Sequence, residues 1–179
     1  MNLEQYEINA ARTFVSIDHE KDIYHIESGM ITELGEFTDI FKRELAYNKP
    51  IDKVNLSEEW ADFMWYAVRF GKLLGLDFTV NPEFVHELAE GGLKNAGNLQ
   101  IANVIGFSPL VTDAILEKSQ FHYNFMLSVW YALAEIFEID TEKALENNIN
   151  KLKVRYPEKF TNENALNRNI EAERAELEK

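Results

Sequence analysis

No cysteine occurs among the 179 residues, which excludes disulfides, thiolate zinc sites, iron–sulfur clusters and cysteine nucleophiles. Any metal must be held by oxygen or imidazole. Cations are scarce as well: 18 basic residues stand against 31 acidic ones, and the net charge of −13 would repel a phosphate backbone, so nucleic acid is not an expected partner. Only 4 prolines and 8 glycines interrupt the chain, and Val and Thr are few beside Ala, Leu and Glu, so the composition predicts an all-α fold. The most apolar stretches, such as Phe125 to Phe137, are too short to span a bilayer, and the start MNLEQYEINA lacks the basic and apolar regions of a signal peptide. A soluble, cytoplasmic protein without a membrane partner is expected. The length suits one domain able to hide ~70% of the surface its unfolded chain exposes.

Apolar spacing predicts a first helix from Leu3 to Phe14 behind an Asn2 cap, and a second from Asp22 to Ala46. A third, capped by Asn55 or Ser57, runs to Leu74 and stops at Gly75. Between Asn81 and Phe107 the periodicity weakens, with Gly91, Gly92, Gly97 and Gly106 as breaks. Ser108 and Pro109 read as a cap and first-turn pair, and the helical pattern they open persists to Phe137 with a break near Ser119. Thr141 reads as the cap of a helix ending at Pro157, and residues 161–179 as a loosely attached, charged helical tail behind a domain of residues 1–160. The run Trp-Tyr-Ala occurs at Trp65 to Ala67 and again at Trp130 to Ala132, a faint sign of internal duplication.

Two pairs of carboxylates stand out. On a helical wheel Glu59 and Asp62 fall in the sector of Phe63, Tyr66, Phe70 and Leu73, the face that must enter the core. Glu33 and Glu36 fall at one edge of the apolar arc of the preceding helix. Ionised carboxylates beside a core repel one another and cost several kcal/mol each unless a positive charge compensates. An all-oxygen set of this kind suits Mg²⁺, or Mn²⁺, better than zinc or copper. Acidic pairs at i, i+3 are common among 23 glutamates and usually face water; the apolar sector around Glu59 and Asp62 is what sets this pair apart.

The runs HIESGMITELGEFTDIFKREL and NKPIDKVNLSEEWADFMWYAVRFGKLLGLD resemble the MazG-like all-α nucleoside triphosphate pyrophosphohydrolases, whose signature is Glu-x-x-Glu on one helix and Glu-x-x-Asp on the next. Here the two parts are Glu33-Leu34-Gly35-Glu36 and Glu59-Trp60-Ala61-Asp62, and the segment NINKLKVRYPEKF is similar to the family's closing helix. The resemblance covers residues 1 to about 77 and about 136 to 165. It implies a four-helix core, homo-oligomeric as a dimer or higher, in the cytoplasm of a bacterial or phage-infected cell. It further implies Mg²⁺ on Glu33, Glu36, Glu59 and Asp62, with cleavage of a nucleoside triphosphate between its α and β phosphates and one of the helix-two glutamates as base. Cations available for the phosphates are Lys42, Lys49, Lys151 and Arg155, the last two with Asn148 in the Asn-x-x-Lys and Arg-Tyr-Pro elements; His25 and Trp65 are candidates for base or sugar. Thr32 stands where many members carry a further glutamate, and residues 78–123 read as an insertion.

Two other readings compete. A carboxylate-bridged di-iron bundle uses Glu-x-x-His, found at Glu83 to His86, with Asp22 to His25 as a looser counterpart. A non-catalytic helical protein that sequesters a nucleotide is the other.

Overall fold

The chain, described over residues 1–93 and 100–179 in a computed structural model, has only helices as regular elements among those residues. None of these helices is long and apolar enough to cross a membrane. The expected break at Gly97 lies outside the described residues. Asn2 caps α1 (Leu3–Ala11) as expected, its side chain accepting from the Gln5 N–H at 2.8 Å, but α1 stops at Ala11 rather than Phe14. The residues beyond it are held by Asp22, whose carboxylate accepts from the Ile17 N–H (2.8 Å) and the Ser16 hydroxyl (2.5 Å). Those two bonds hold the Asp22 carboxyl below its usual range and fold the joint into a fixed loop.

Helix α2 (His19–Tyr47) starts ahead of the expected Asp22 because Asp18 caps it, and it ends on Asn48 in the left-handed region (φ 51°). Asp52, not Asn55 or Ser57, caps α3 (Lys53–Leu74) by accepting from Val54 and Asn55. Glu58 and Glu59 therefore lie beyond the first turn of α3, where the helix dipole does little for them. Gly75 closes α3 with φ 68°, as its sequence position suggests.

The segment expected as an insertion forms α4 (Pro82–Glu87), a π-helical turn over Leu88–Leu93, and α5 (Gln100–Glu117). Pro109 sits inside α5 instead of opening a helix. The buried residues Val104, Phe107, Val111 and Ala114 run along one stripe through that position, and their burial outweighs the backbone bond that proline forfeits. Ser119 caps α6 (Gln120–Ile136), the expected break, and Asp140 rather than Thr141 caps α7 (Thr141–Arg155). The tail forms α8 (Asn162–Leu166) and α9 (Ile170–Leu177), and α9 packs along α7 instead of hanging free, for reasons of charge given below.

Trp130 of α6 is the hub of the core: its ring lies 4.4 Å from Phe63, 4.8 Å from Phe37 and 4.9 Å from Phe107, joining α2, α3, α5 and α6. Its indole N–H donates to the Trp60 carbonyl (3.2 Å) and that of Trp60 to the Trp130 carbonyl (3.1 Å). Each buried donor thereby has a partner. Trp65, which shares the Trp-Tyr-Ala run with Trp130, is half-exposed and bonds Thr13 instead, so the two runs do not occupy equivalent places.

Helix α3 also approaches α6 closely at Gly71, where an added Cβ would lie 2.4 Å from the Tyr123 hydroxyl. That hydroxyl is buried and donates to the Ala67 carbonyl at 3.0 Å, so it has nowhere to retreat. Gly71→Ala is expected to destabilise the fold by about 1–3 kcal/mol through overpacking, read as a lowered urea midpoint with an unchanged m-value.

Candidate active site

Helix α3 folds back along α2, as the pairing of Gly29 with Tyr66 one turn before Glu33 meets Asp62 requires. This brings the two acidic motifs together. One carboxylate oxygen from each of Glu33, Glu59 and Asp62 lies within 4.8 Å of the others, the sole cluster of this kind among the described residues. Glu36, one turn along α2, is exposed and lines the same cleft without joining the cluster.

Burial comes first among the influences on Glu33 and Glu59, and the neighbouring charge of Asp62 comes second; together they push both carboxyls up to about 8. Among the described residues no hydrogen bond or ion pair reaches either group, and Glu59 is only 8% exposed. Asp62 is differently placed. Its Oδ1 accepts from Asn148 Nδ2 (2.5 Å), and its two oxygens accept from Lys151 Nζ at 2.7 and 2.5 Å. Lys151 also donates to Glu58 Oε1 at 3.1 Å. Burial pulls the Lys151 ammonium down, but Asp62 and Glu58 overcome this and hold it above its usual value. Tyr6 completes the support: its hydroxyl donates to Asn148 Oδ1 at 2.7 Å, with the Ala61 carbonyl 3.0 Å away.

Two clefts meet at this cluster, sharing Glu33, Asp62 and Arg155. One, of about 400 Å³, is aromatic, with Phe14, Trp65, Tyr66, Tyr156 and Phe160 in its walls. The other, of about 440 Å³, is charged, and there Glu36, Glu58 and Glu59 face Arg168 and Arg174. An apolar body with a polyanionic, metal-bound end would match this division. Three converging carboxylates, two of them without a protein partner among the described residues, fit a hard divalent cation.

The residues singled out from the sequence separate into groups. Glu33, Glu59 and Asp62 form the cluster, Arg155, Glu36 and His25 line its clefts, and Trp65 stands in the aromatic wall. His25 stacks on Phe14 with ring centres 6.1 Å apart. Asn148 and Lys151, expected at the phosphates, are instead 0% and 1% exposed and are spent on Asp62: they hold the site from behind. Lys42 and Lys49 are exposed and line neither cleft; Lys42 pairs with Asp39, roughly 13 Å along α2 from Glu33. Among its described residues, the expected insertion, 78–123, supplies core residues but no residue of either cleft.

The di-iron elements do not meet at the cluster: Asp22 is used by the α1–α2 joint, and His86 lies 2.6 Å from Glu135 of α6. Missed from the sequence were Glu58, Tyr66, Arg168, Glu173 and Arg174. Glu58 was legible as the neighbour of Glu59; the others depend on how distant elements pack. Compared with family models, with curated proteins and with solved structures, the chain finds no match.

Proposed function

We propose that this chain hydrolyses nucleoside triphosphates between the α and β phosphates in a divalent-cation-dependent reaction, as a MazG-like pyrophosphohydrolase. The observation that carries this reading is the convergence of Glu33, Glu59 and Asp62 at the junction of an aromatic and a charged cleft. Glu33, Glu59 and Asp62 would hold Mg²⁺ or Mn²⁺. When bound, the ion supplies neutralisation of developing phosphate charge and acidifies the attacking water. The aromatic walls from Phe14, Trp65 and Tyr66 take the base and sugar, while Arg155 at the junction faces the phosphates. Glu36, exposed beside the cluster, accepts the proton as water oxygen attacks the α-phosphorus. The bridging bond from the α-phosphorus to the β-phosphate oxygen breaks, and nucleoside monophosphate and pyrophosphate leave.

Lys151 and Asn148 are positioning residues here, since they fix Asp62 without reaching the cleft. The test is pyrophosphate release from a panel of canonical and modified ribo- and deoxyribonucleoside triphosphates with Mg²⁺ or Mn²⁺. Release that needs the ion and is lost in Glu59→Gln supports the assignment. A folded wild-type chain that turns over no member of the panel overturns it.

A further inference from the structure

Helix α9 has one buried side chain, and it is a carboxylate. Glu173, 2% exposed, accepts from Arg155 Nε (3.1 Å) and Nη2 (2.5 Å) in a fork, and from Arg168 Nη2 at 2.7 Å. The two guanidinium groups come from different elements, the end of α7 and the α8–α9 joint, and close on one anion. Arg155, Arg168 and Glu173 all line the charged cleft that holds Glu59. A guanidinium fork accepts phosphate oxygens in the same bidentate geometry as a carboxylate, and phosphate brings more charge.

We propose that Arg155 and Arg168 form a polyphosphate-binding subsite of the charged cleft and that Glu173 occupies it as an internal anion, so that α9 is a latch displaced by the phosphates of the ligand. The identity of the anion rests on the triphosphate reading above. The other attachments of α9 are polar: Arg174 pairs with Asp52 at 3.0 Å, and Asn147 Nδ2 donates to the Leu177 carbonyl at 3.1 Å. Ile170, at the start of the helix, is 68% exposed. A helix held by charge and hydrogen bonds, with little apolar surface committed, is released when a stronger anion takes its arginines.

The test uses the full chain and inorganic tripolyphosphate in Mg²⁺ buffer, read by titration calorimetry, so that binding is seen without turnover. Glu173→Gln is expected to tighten the tripolyphosphate Kd at least tenfold, and Arg168→Ala added to it to remove that gain. Asp52→Asn keeps an amide able to cap α3 while weakening the Arg174 anchor, and is expected to shift Kd in the same direction. In the wild type, tripolyphosphate should speed tryptic cleavage at Arg174, on the released helix. An unchanged Kd in folded Glu173→Gln, or slower cleavage with tripolyphosphate, overturns the latch. If circular dichroism shows Glu173→Gln unfolded, Asp52→Asn decides, and an unchanged Kd there overturns it equally. A chain that hydrolyses no triphosphate yet shows the tightened Kd keeps the subsite and loses the enzymatic reading; turnover with an unchanged Kd does the reverse.

Discussion

Glu59→Gln is expected to lower metal-dependent pyrophosphate release by a factor on the order of 10³ while raising the melting temperature of the metal-free protein at pH 8. Both effects have one origin. Glu59 is 8% exposed, has no protein cation of its own among the described residues, and is pushed up to about 8 by burial and by Asp62, so its ionised form is held against a penalty that a bound cation relieves. Removing the charge removes the ligand and the penalty together. The gain in metal-free stability should be on the order of 2 kcal/mol, or about 5 °C for a chain of this size.

The sign with pH follows from the same group and from Glu33. Burial and Asp62 push both up to about 8 in the folded protein from an ordinary glutamate value of 4.5, so the native state binds more protons than the unfolded state between those values. Metal-free stability should therefore fall as the pH rises from about 4.5 to about 8, and Glu59→Gln should flatten that fall. Thermal melts at several pH values, with EDTA and with Mg²⁺, check both statements. A wild-type melting temperature that climbs across this window without metal would refute the charge penalty.

Lys151→Met is expected to cost about 3–5 kcal/mol in the metal-free protein, a drop of roughly 10 °C. The side chain is 1% exposed and its ammonium is shared by Asp62 and Glu58, so the substitution fills the space but leaves two carboxylates without their cation. Mg²⁺ should restore part of the loss, because Asp62 then has a charge to pair with. Differential scanning calorimetry with and without Mg²⁺ distinguishes this from a packing defect, which the ion would leave in place. A melting temperature within about 2 °C of wild type would show that Lys151 does not hold the cluster together.

Much of the fold was written in local pattern. The stripes of α2 and α3, the stop at Gly75, the break at Ser119 and the end of α7 before Pro157 follow from side-chain spacing and backbone chemistry that a short window contains. The wheel for α3 also predicted that Glu59 would share a face with Phe63 and Phe70, and the structure buries all three. The helix starts at Asp18, Asp52 and Asp140 were local alternatives among neighbouring caps, whereas at Pro109 a distant contact overruled a local signal. Pro109 sits inside α5 because Phe107 and Val111 on either side of it are buried in the core, and a cap signal carries less free energy than that burial.

Composition and periodicity by themselves determined that this protein is helical, acidic and confined to oxygen or imidazole ligands, and that two acidic pairs project from their helices at i, i+3. Spacing along a chain fixes which side chains share a face, since the helical repeat is the same everywhere. Only the tertiary structure decided what those faces meet. Folding α3 against α2 drew three of the four acids within 4.8 Å and left Glu36 at the rim. Packing of α7 turned Lys151 and Asn148 from expected phosphate contacts into supports for Asp62, and docking of α9 brought Glu173 onto Arg155. Pairings between residues 18 to 89 positions apart depend on the summed packing of the core, which no short stretch of the sequence encodes.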